Sequence, residues 1–180
     1  SDDNSPYHIQ GCIYDALELA DWDFIGLHPP CTSLCVSGNS TYGVGMPKHM
    51  ERIDAIQWTK DLWEYTKTKT KRAYLENPIG VLKNALGQPT YIQPYEHGHL
   101  ETKKTCLWLH GLEPLEPTND VKSETMQLPK KERMRLHYLP PSKDRWKIRS
   151  TTYQGIANAM AQQWGGDNYF HTIFDLVGGN

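Results

Sequence analysis

The chain lacks the features that would tie it to a membrane, a secreted scaffold or a coat on nucleic acid. No apolar stretch approaches the length of a membrane span or a signal peptide. Its four cysteines stand without the paired spacing of a disulfide framework, so a reducing, cytoplasmic setting is expected. Positive charge is not in excess: the net charge is −2, which excludes binding of nucleic acid through bulk charge alone. Basic runs are local, at Lys67–Arg72 and Lys130–Arg135, and such runs are ordinarily solvated faces. Phenylalanine is scarce at three residues against six Trp and ten Tyr, so most aromatic rings carry a polar handle suited to interfaces and base stacking. Internal repeats and low-complexity tracts are absent. The opening Ser1–Pro6 has no initiator Met and reads as polar loop, either from inside a larger ancestral domain or as a processed or engineered end.

What is present suits one α/β domain over residues 1–180. The apolar run Trp22–Leu27 reads as a buried parallel strand that opens at His28-Pro29-Pro30 into a loop. From Pro47, the spacing of Met50, Ile53, Ile56, Leu62 and Trp63 predicts an amphipathic crossover helix. Arg72–Glu76 reads as a second strand, closed by Asn77-Pro78 because proline cannot donate to a ladder. Together these segments make one right-handed parallel unit. Thr90–Gln93 and Lys104–Leu109 are further strands, expected to pair antiparallel at a sheet edge. Residues 113–145 hold five of the twelve prolines and predict an irregular, partly mobile excursion. Thr151 or Thr152 is the expected cap of a last helix carrying Ile156, Ala159, Met160 and Trp164. Phe170–Phe174 is strand-like.

Chemistry concentrates at two strand tips. A thiolate is an intrinsically strong nucleophile toward electron-poor carbon and needs only a modest lowering of its pKa. Cys31 follows two stiffening prolines, and Thr32-Ser33-Leu34 can begin a turn whose N–H groups face the sulfur. Glu76 ends the next strand, at the carboxyl edge where open α/β sheets bind ligands. Addition of a thiolate to C6 of cytosine builds negative charge on the ring. A protonated or hydrogen-bonding carboxyl near N3 and the 4-amino group relieves it.

In order and spacing, Pro30-Cys31 and Glu76-Asn77 resemble motifs IV and VI of DNA cytosine-5 methyltransferases. The segments Gln93–Leu112 and Pro140–Ala161 look like the compact methyltransferase-like proteins of phage and prophage genomes, and the likeness covers most of residues 5–164. It implies a Rossmann-like methyltransferase sheet in a bacterial or phage-infected cell, acting on DNA or a pyrimidine nucleotide with S-adenosylmethionine as methyl donor. By this likeness Cys31 is the nucleophile, Glu76 acts on the base edge, and Pro30 and Asn77 shape the substrate loop. Glu101–Thr105 takes the place of the arginine-bearing motif VIII, with Lys103 as a catalytic cation and Lys104 and Thr105 beside the substrate. Ala157–Met160 resembles motif X, which places Asn158 and Ala159, with His28, beside the donor.

The chain departs from the family in several places. Lysines replace the planar forks of arginine in motif VIII, and Ala157 stands where motif X has glycine. No strand with a glycine-rich turn precedes Cys31, and Cys12 occupies a position where relatives carry an Asp that holds adenine. The sheet is therefore expected to be incomplete on its N-terminal side. The strand ending at His28 would then be an edge that a second copy or a missing subunit covers. Ile173–Asn180 resembles the family's first motif displaced to the C-terminus. The segment between motifs VIII and IX is too short for a separate target-recognition domain. Four other readings stay open: an amino-methyltransferase loop, a metal site of Cys31, Cys35, His97 and His99, a degenerate partner-binding or DNA-mimicking module, and C5 modification of pyrimidine without S-adenosylmethionine.

Overall fold

Short apolar runs separated by one long charged segment give a mixed α/β fold built on an open four-stranded sheet. The computed structural model describes residues 8–165. The strand-like Phe170–Phe174, the Ile173–Asn180 segment and the Ser1–Pro6 start lie outside them. The strands are β1 (Ile25–Leu27), β2 (Ala73–Pro78), β3 (Thr90–Ile92) and β4 (Thr105–His110), in the order β1-β2-β4-β3. β4 takes an interior place, as its buried run Thr105–Trp108 requires, whereas β1 and β3 are the edges. Residue contacts divide the chain into two units, one of residues up to Thr90 with Leu107–Leu112, the other of Tyr91–Cys106 with the residues from Glu113 onward.

In the first unit, β1 and β2 are parallel, with Ile25 opposite Ala73, Gly26 opposite Tyr74 and Leu27 opposite Leu75. β1 is shorter than the apolar run from Trp22, since pairing starts only where the Ile25 N–H donates to Arg72 O at 3.0 Å. Gly26 is required there: a Cβ would stand 2.7 Å from the Tyr74 ring. α1 (Ile13–Leu17) packs against α3 (His49–Lys69) through Tyr14 and Tyr65, whose ring centroids are 5.4 Å apart. The short α2 (Asn39–Tyr42) and α4 (Lys83–Leu86) flank α3 and β2 in the chain.

α3 corrects the expected apolar stripe. Met50 and Ile53 are exposed, and the inward face is Arg52, Thr59, Leu62, Trp63 and Thr66. Helical periodicity is present, but threonines fill two of the five buried positions; Thr59 satisfies its own hydroxyl by donating to Ala55 O at 2.7 Å. Pro47 lies before the helix, with Lys48 as the flanking residue.

In the second unit, Gln93 and Glu96 form a reciprocal capping box on a 3-10 turn at Pro94–Glu96. The Pro-rich span is more built than its composition predicts. It holds α5 (Lys122–Gln127) and α6 (Lys130–Arg133) and buries Thr125 and Leu136. The carbonyl of Glu96 receives the N–H groups of Thr118 and Asn119, and Tyr95 O receives that of Val121, so loop backbone is satisfied by another loop, which no periodicity announces. α7 (Arg145–Ser150) and α8 (Gln154–Trp164) follow. Tyr153, not a threonine, flanks α8; Thr151 instead donates to Lys147 O at the end of α7. Ile156, Ala159 and Trp164 form the buried face of α8, and Trp164 Nε1 donates to Glu113 O at 3.0 Å.

Candidate active site

Parallel pairing of β1 and β2 brings the loops that leave their C-terminal ends side by side. Four contacts fix their separation. Val36 N–H donates to Ile79 O and Val81 N–H to Leu34 O, both at 3.0 Å, around an antiparallel bridge of Cys35 with Gly80. Gly80 permits this approach, because a Cβ on it would overlap the Leu34 carbonyl oxygen. Asn77, 1% exposed, donates from Nδ2 to Pro29 O at 3.1 Å and so holds the prolines before Cys31. Its Oδ1 is buried with no partner among the described residues.

Glu76 lies close enough for its charge to oppose ionisation of Cys31. His28 stands beside Glu76: Nδ1 is 3.4 Å from Glu76 Oε2 and Nε2 is 3.0 Å from the Tyr74 hydroxyl. Burial, followed by the Glu76 charge, pushes the Tyr74 phenol up, so it stays protonated and keeps its hydroxyl as a partner of the ring. Tyr74, two residues before Glu76 on the same face of β2, was identifiable from strand period alone.

The turn after Cys31 forms, but the Leu34 N–H is spent on backbone: Leu34 and Cys35 both donate to Cys31 O at 3.0 Å. The neighbouring Cys35 thiol, then burial and the Glu76 charge, push the Cys31 thiol up, and its own backbone N–H opposes them. Cys35 goes the other way, through the neighbouring Cys31 first; burial opposes the shift, and the Ser37 hydroxyl and the N–H groups of Gly38 and Ser37 add to it. Ser37 Oγ is 3.0 Å from Cys35 Sγ. A protonated Cys35 reaches Thr32 O at 3.9 Å. Sequence reading offered Cys35 only as one of four metal ligands, on the strength of a second thiol four residues after the first.

Arg52, on the buried face of α3, braces the same turn. Its Nε donates to Ser33 O at 2.6 Å, Nη1 to Asn39 Oδ1 at 2.9 Å and Nη2 to Cys35 O at 3.3 Å. It is 5% exposed, and among the described residues no carboxylate lies within ion-pair distance of it.

The remaining expected site residues belong to the second unit. Lys103 Nζ donates to Arg149 O at 2.9 Å, Lys104 Nζ stands 3.9 Å from the centroid of the Tyr91 ring, and Thr105 is buried with its hydroxyl on Lys103 O. Asn158 Oδ1 accepts from Gln154 Nε2 at 2.8 Å, and Ala159 is 0% exposed. Hollows of about 380 Å³ beside Glu18 and Lys69 and about 330 Å³ beside Arg145 and Trp146 lie among the described residues. Among the described residues no group of three or more His, Cys, Asp or Glu side chains is disposed to hold a metal, which leaves the four-ligand alternative without support. No helix among them is long and apolar enough to cross a membrane.

No protein-family model matches the chain, and no curated protein matches it.

Proposed function

We propose that the chain modifies C5 of a pyrimidine, as a DNA cytosine-5 methyltransferase-like protein of Rossmann-like ancestry, with Cys31 as nucleophile and Glu76 on the base edge. The observation that carries this reading is the pairing of a half-exposed thiol with a carboxylate at the C-terminal ends of two adjacent parallel strands. Cys31 adds to C6 of a pyrimidine that is flipped out or single-stranded, and the π electrons of the C5–C6 bond move toward N3 and O2. Glu76, held by the His28 and Tyr74 relay, lies at the edge of the ring where that charge collects. Asn77 keeps the Pro29-Pro30 loop in register with it. In this reading S-adenosylmethionine would supply the methyl group, with His28, Asn158 and Ala159 as the residues beside it.

Oligonucleotides containing 5-fluorocytosine, supplied with S-adenosylmethionine, are expected to form a covalent adduct with the wild-type chain and none with Cys31→Ala, read by denaturing gel and intact mass. Absence of an adduct in wild type, with and without S-adenosylmethionine, favours the non-enzymatic partner-binding reading. The edge position of β1 supports a further part of the proposal, that a second copy or another subunit pairs with it. Light scattering that returns a stable monomer contradicts that part.

A further inference from the structure

We propose that α7 carries a binding surface for single-stranded DNA, with Trp146 as the platform on which a base stacks and Arg145 and Arg149 as the groups that hold the adjoining phosphates. This rests on the reading of the substrate as DNA and assigns the strand a place within the second unit. Residues 130–149 carry eight Lys and Arg against two acids, Glu132 and Asp144, in a chain whose net charge is −2. Charge of one sign is thus confined to a short span, which attracts a phosphate backbone locally although the chain as a whole does not. Trp146 lies in that span and is 72% exposed, whereas Trp63, Trp108 and Trp164 are buried. An indole so open in a folded chain forgoes the burial that its type usually finds, and a ligand with an aromatic face supplies it.

Helical spacing sets these groups together. Arg145 and Arg149 are four residues apart, and Trp146 and Arg149 three, so the three side chains share one side of α7. With Pro141 and Ser142 they line a hollow of about 330 Å³. Arg145 is anchored by Nε on Leu139 O at 2.9 Å, and among the described residues its Nη groups have no hydrogen-bond partner. The Arg149 carbonyl accepts from Lys103 Nζ, while its guanidinium has no partner among the described residues. Neither arginine is in an ion pair with a described carboxylate. A planar guanidinium fork suits phosphate oxygens, and a flat indole suits the face of any base. The other occupants of such a surface fit less well. A membrane needs a continuous apolar face, but Ile148, the other exposed apolar residue of α7, is two positions from Trp146 and does not share its side. Duplex DNA keeps its bases stacked on one another and offers no ring face to an indole.

The test reads binding and not turnover. Fluorescence anisotropy of a fluorescein-labelled oligothymidylate of about 12 nucleotides is followed with the full chain over a range of salt concentrations. Wild type is expected to bind this strand and to prefer it to a duplex of equal length. Trp146→Ala is expected to weaken binding about tenfold or more without changing the salt dependence, and Trp146→Phe to recover most of that loss. Arg149→Gln is expected to flatten the plot of log K against log salt by about 0.7, the share of one phosphate contact. Should Trp146→Ala lose its fold in urea, the Arg149→Gln slope decides. Wild-type affinity in Trp146→Ala overturns the proposal, as does a preference for duplex or binding to phosphatidylserine vesicles without binding to the strand. Strand binding that depends on Trp146, with no 5-fluorocytosine adduct, removes only the pyrimidine chemistry. An adduct that forms in Trp146→Ala as in wild type, with affinity unchanged, removes only this surface.

Discussion

The two units treat their ionisable side chains in opposite ways. In the second, the groups around Glu101 have been given structural jobs. Glu101 accepts from Arg135 and from the Tyr153 hydroxyl, and Lys103 and His99 are tied to backbone at Arg149 and Gly155. Burial first, then the Glu101 carboxylate, pushes Tyr153 far above the ordinary phenol range, so it is a fixed donor. The first unit keeps groups whose interactions are unresolved within the chain: a buried Arg52 bound only to neutral oxygens, and a buried Asn77 Oδ1 with no described partner. A satisfied network specifies shape, and one left partly open is where chemistry is to be sought.

The contrast can be broken at several points. The largest effect is expected from Glu76→Gln, which keeps the shape of the strand end and lowers the rate of 5-fluorocytosine adduct formation about 100-fold. Its urea midpoint should stay near that of wild type; a midpoint that falls with the rate would make Glu76 structural, like its counterparts in the second unit. Glu101→Ala is the converse, costing about 2 kcal/mol in urea unfolding through the stranded Tyr153 hydroxyl and leaving the rate of adduct formation unmoved. Most of that cost is assigned to Tyr153, because the Arg135 side chain is half exposed and its ion pair is screened.

A smaller effect concerns His97. It is 4% exposed, its Nδ1 lies 3.0 Å from Thr118 Oγ1, and its Nε2 has no partner in the described residues. Burial, and then the neighbouring His99, lower its pKa below the usual 6.5. The unfolded chain therefore takes up a proton near 6.5 that folded His97 refuses, so stability falls as pH drops through the window just below 6.5. Urea midpoints measured on either side of that window should differ in wild type and converge in His97→Gln. The smallest expected change is Thr59→Val in α3, below about 1 kcal/mol, because the hydroxyl bonds only to its own helix and the volume is kept. A larger loss would mean that the buried threonines do more than fill space.

Much of the first unit was legible in the residues. The apolar run before His28-Pro29-Pro30 and the Glu76-Asn77-Pro78 stop fixed two strand tips, and the charged segment between them could only be a crossover. Local pattern carried that information. It failed where one segment satisfies another across long stretches of chain: Arg52 bracing the Cys31 turn, the Leu34–Val36 and Ile79–Val81 contacts, and the carbonyls that order the Pro-rich span. Cys35 was read only as one of four metal ligands, because its contact with the Ser37 hydroxyl comes from the turn and not from spacing. The contacts of His28 with Tyr74 and Glu76 were likewise beyond local pattern, since they join residues 46 and 48 positions apart.

β1 contributes only three residues to the sheet, yet it is what sets the thiol loop beside the carboxylate. A strand that short can detach while the helices stay formed, in an excursion that costs less than unfolding the chain. Cys31 and Cys35 lie in one turn and remain neighbours in such an excursion; Glu76 does not remain with them. The open state would thus be a reactive dithiol without its carboxylate, and anything that seals the edge of β1 would shift the population toward the assembled site. Hydrogen exchange at the Ile25 amide, which is tied to Arg72, is then a direct gauge of how much of the protein is competent at any moment.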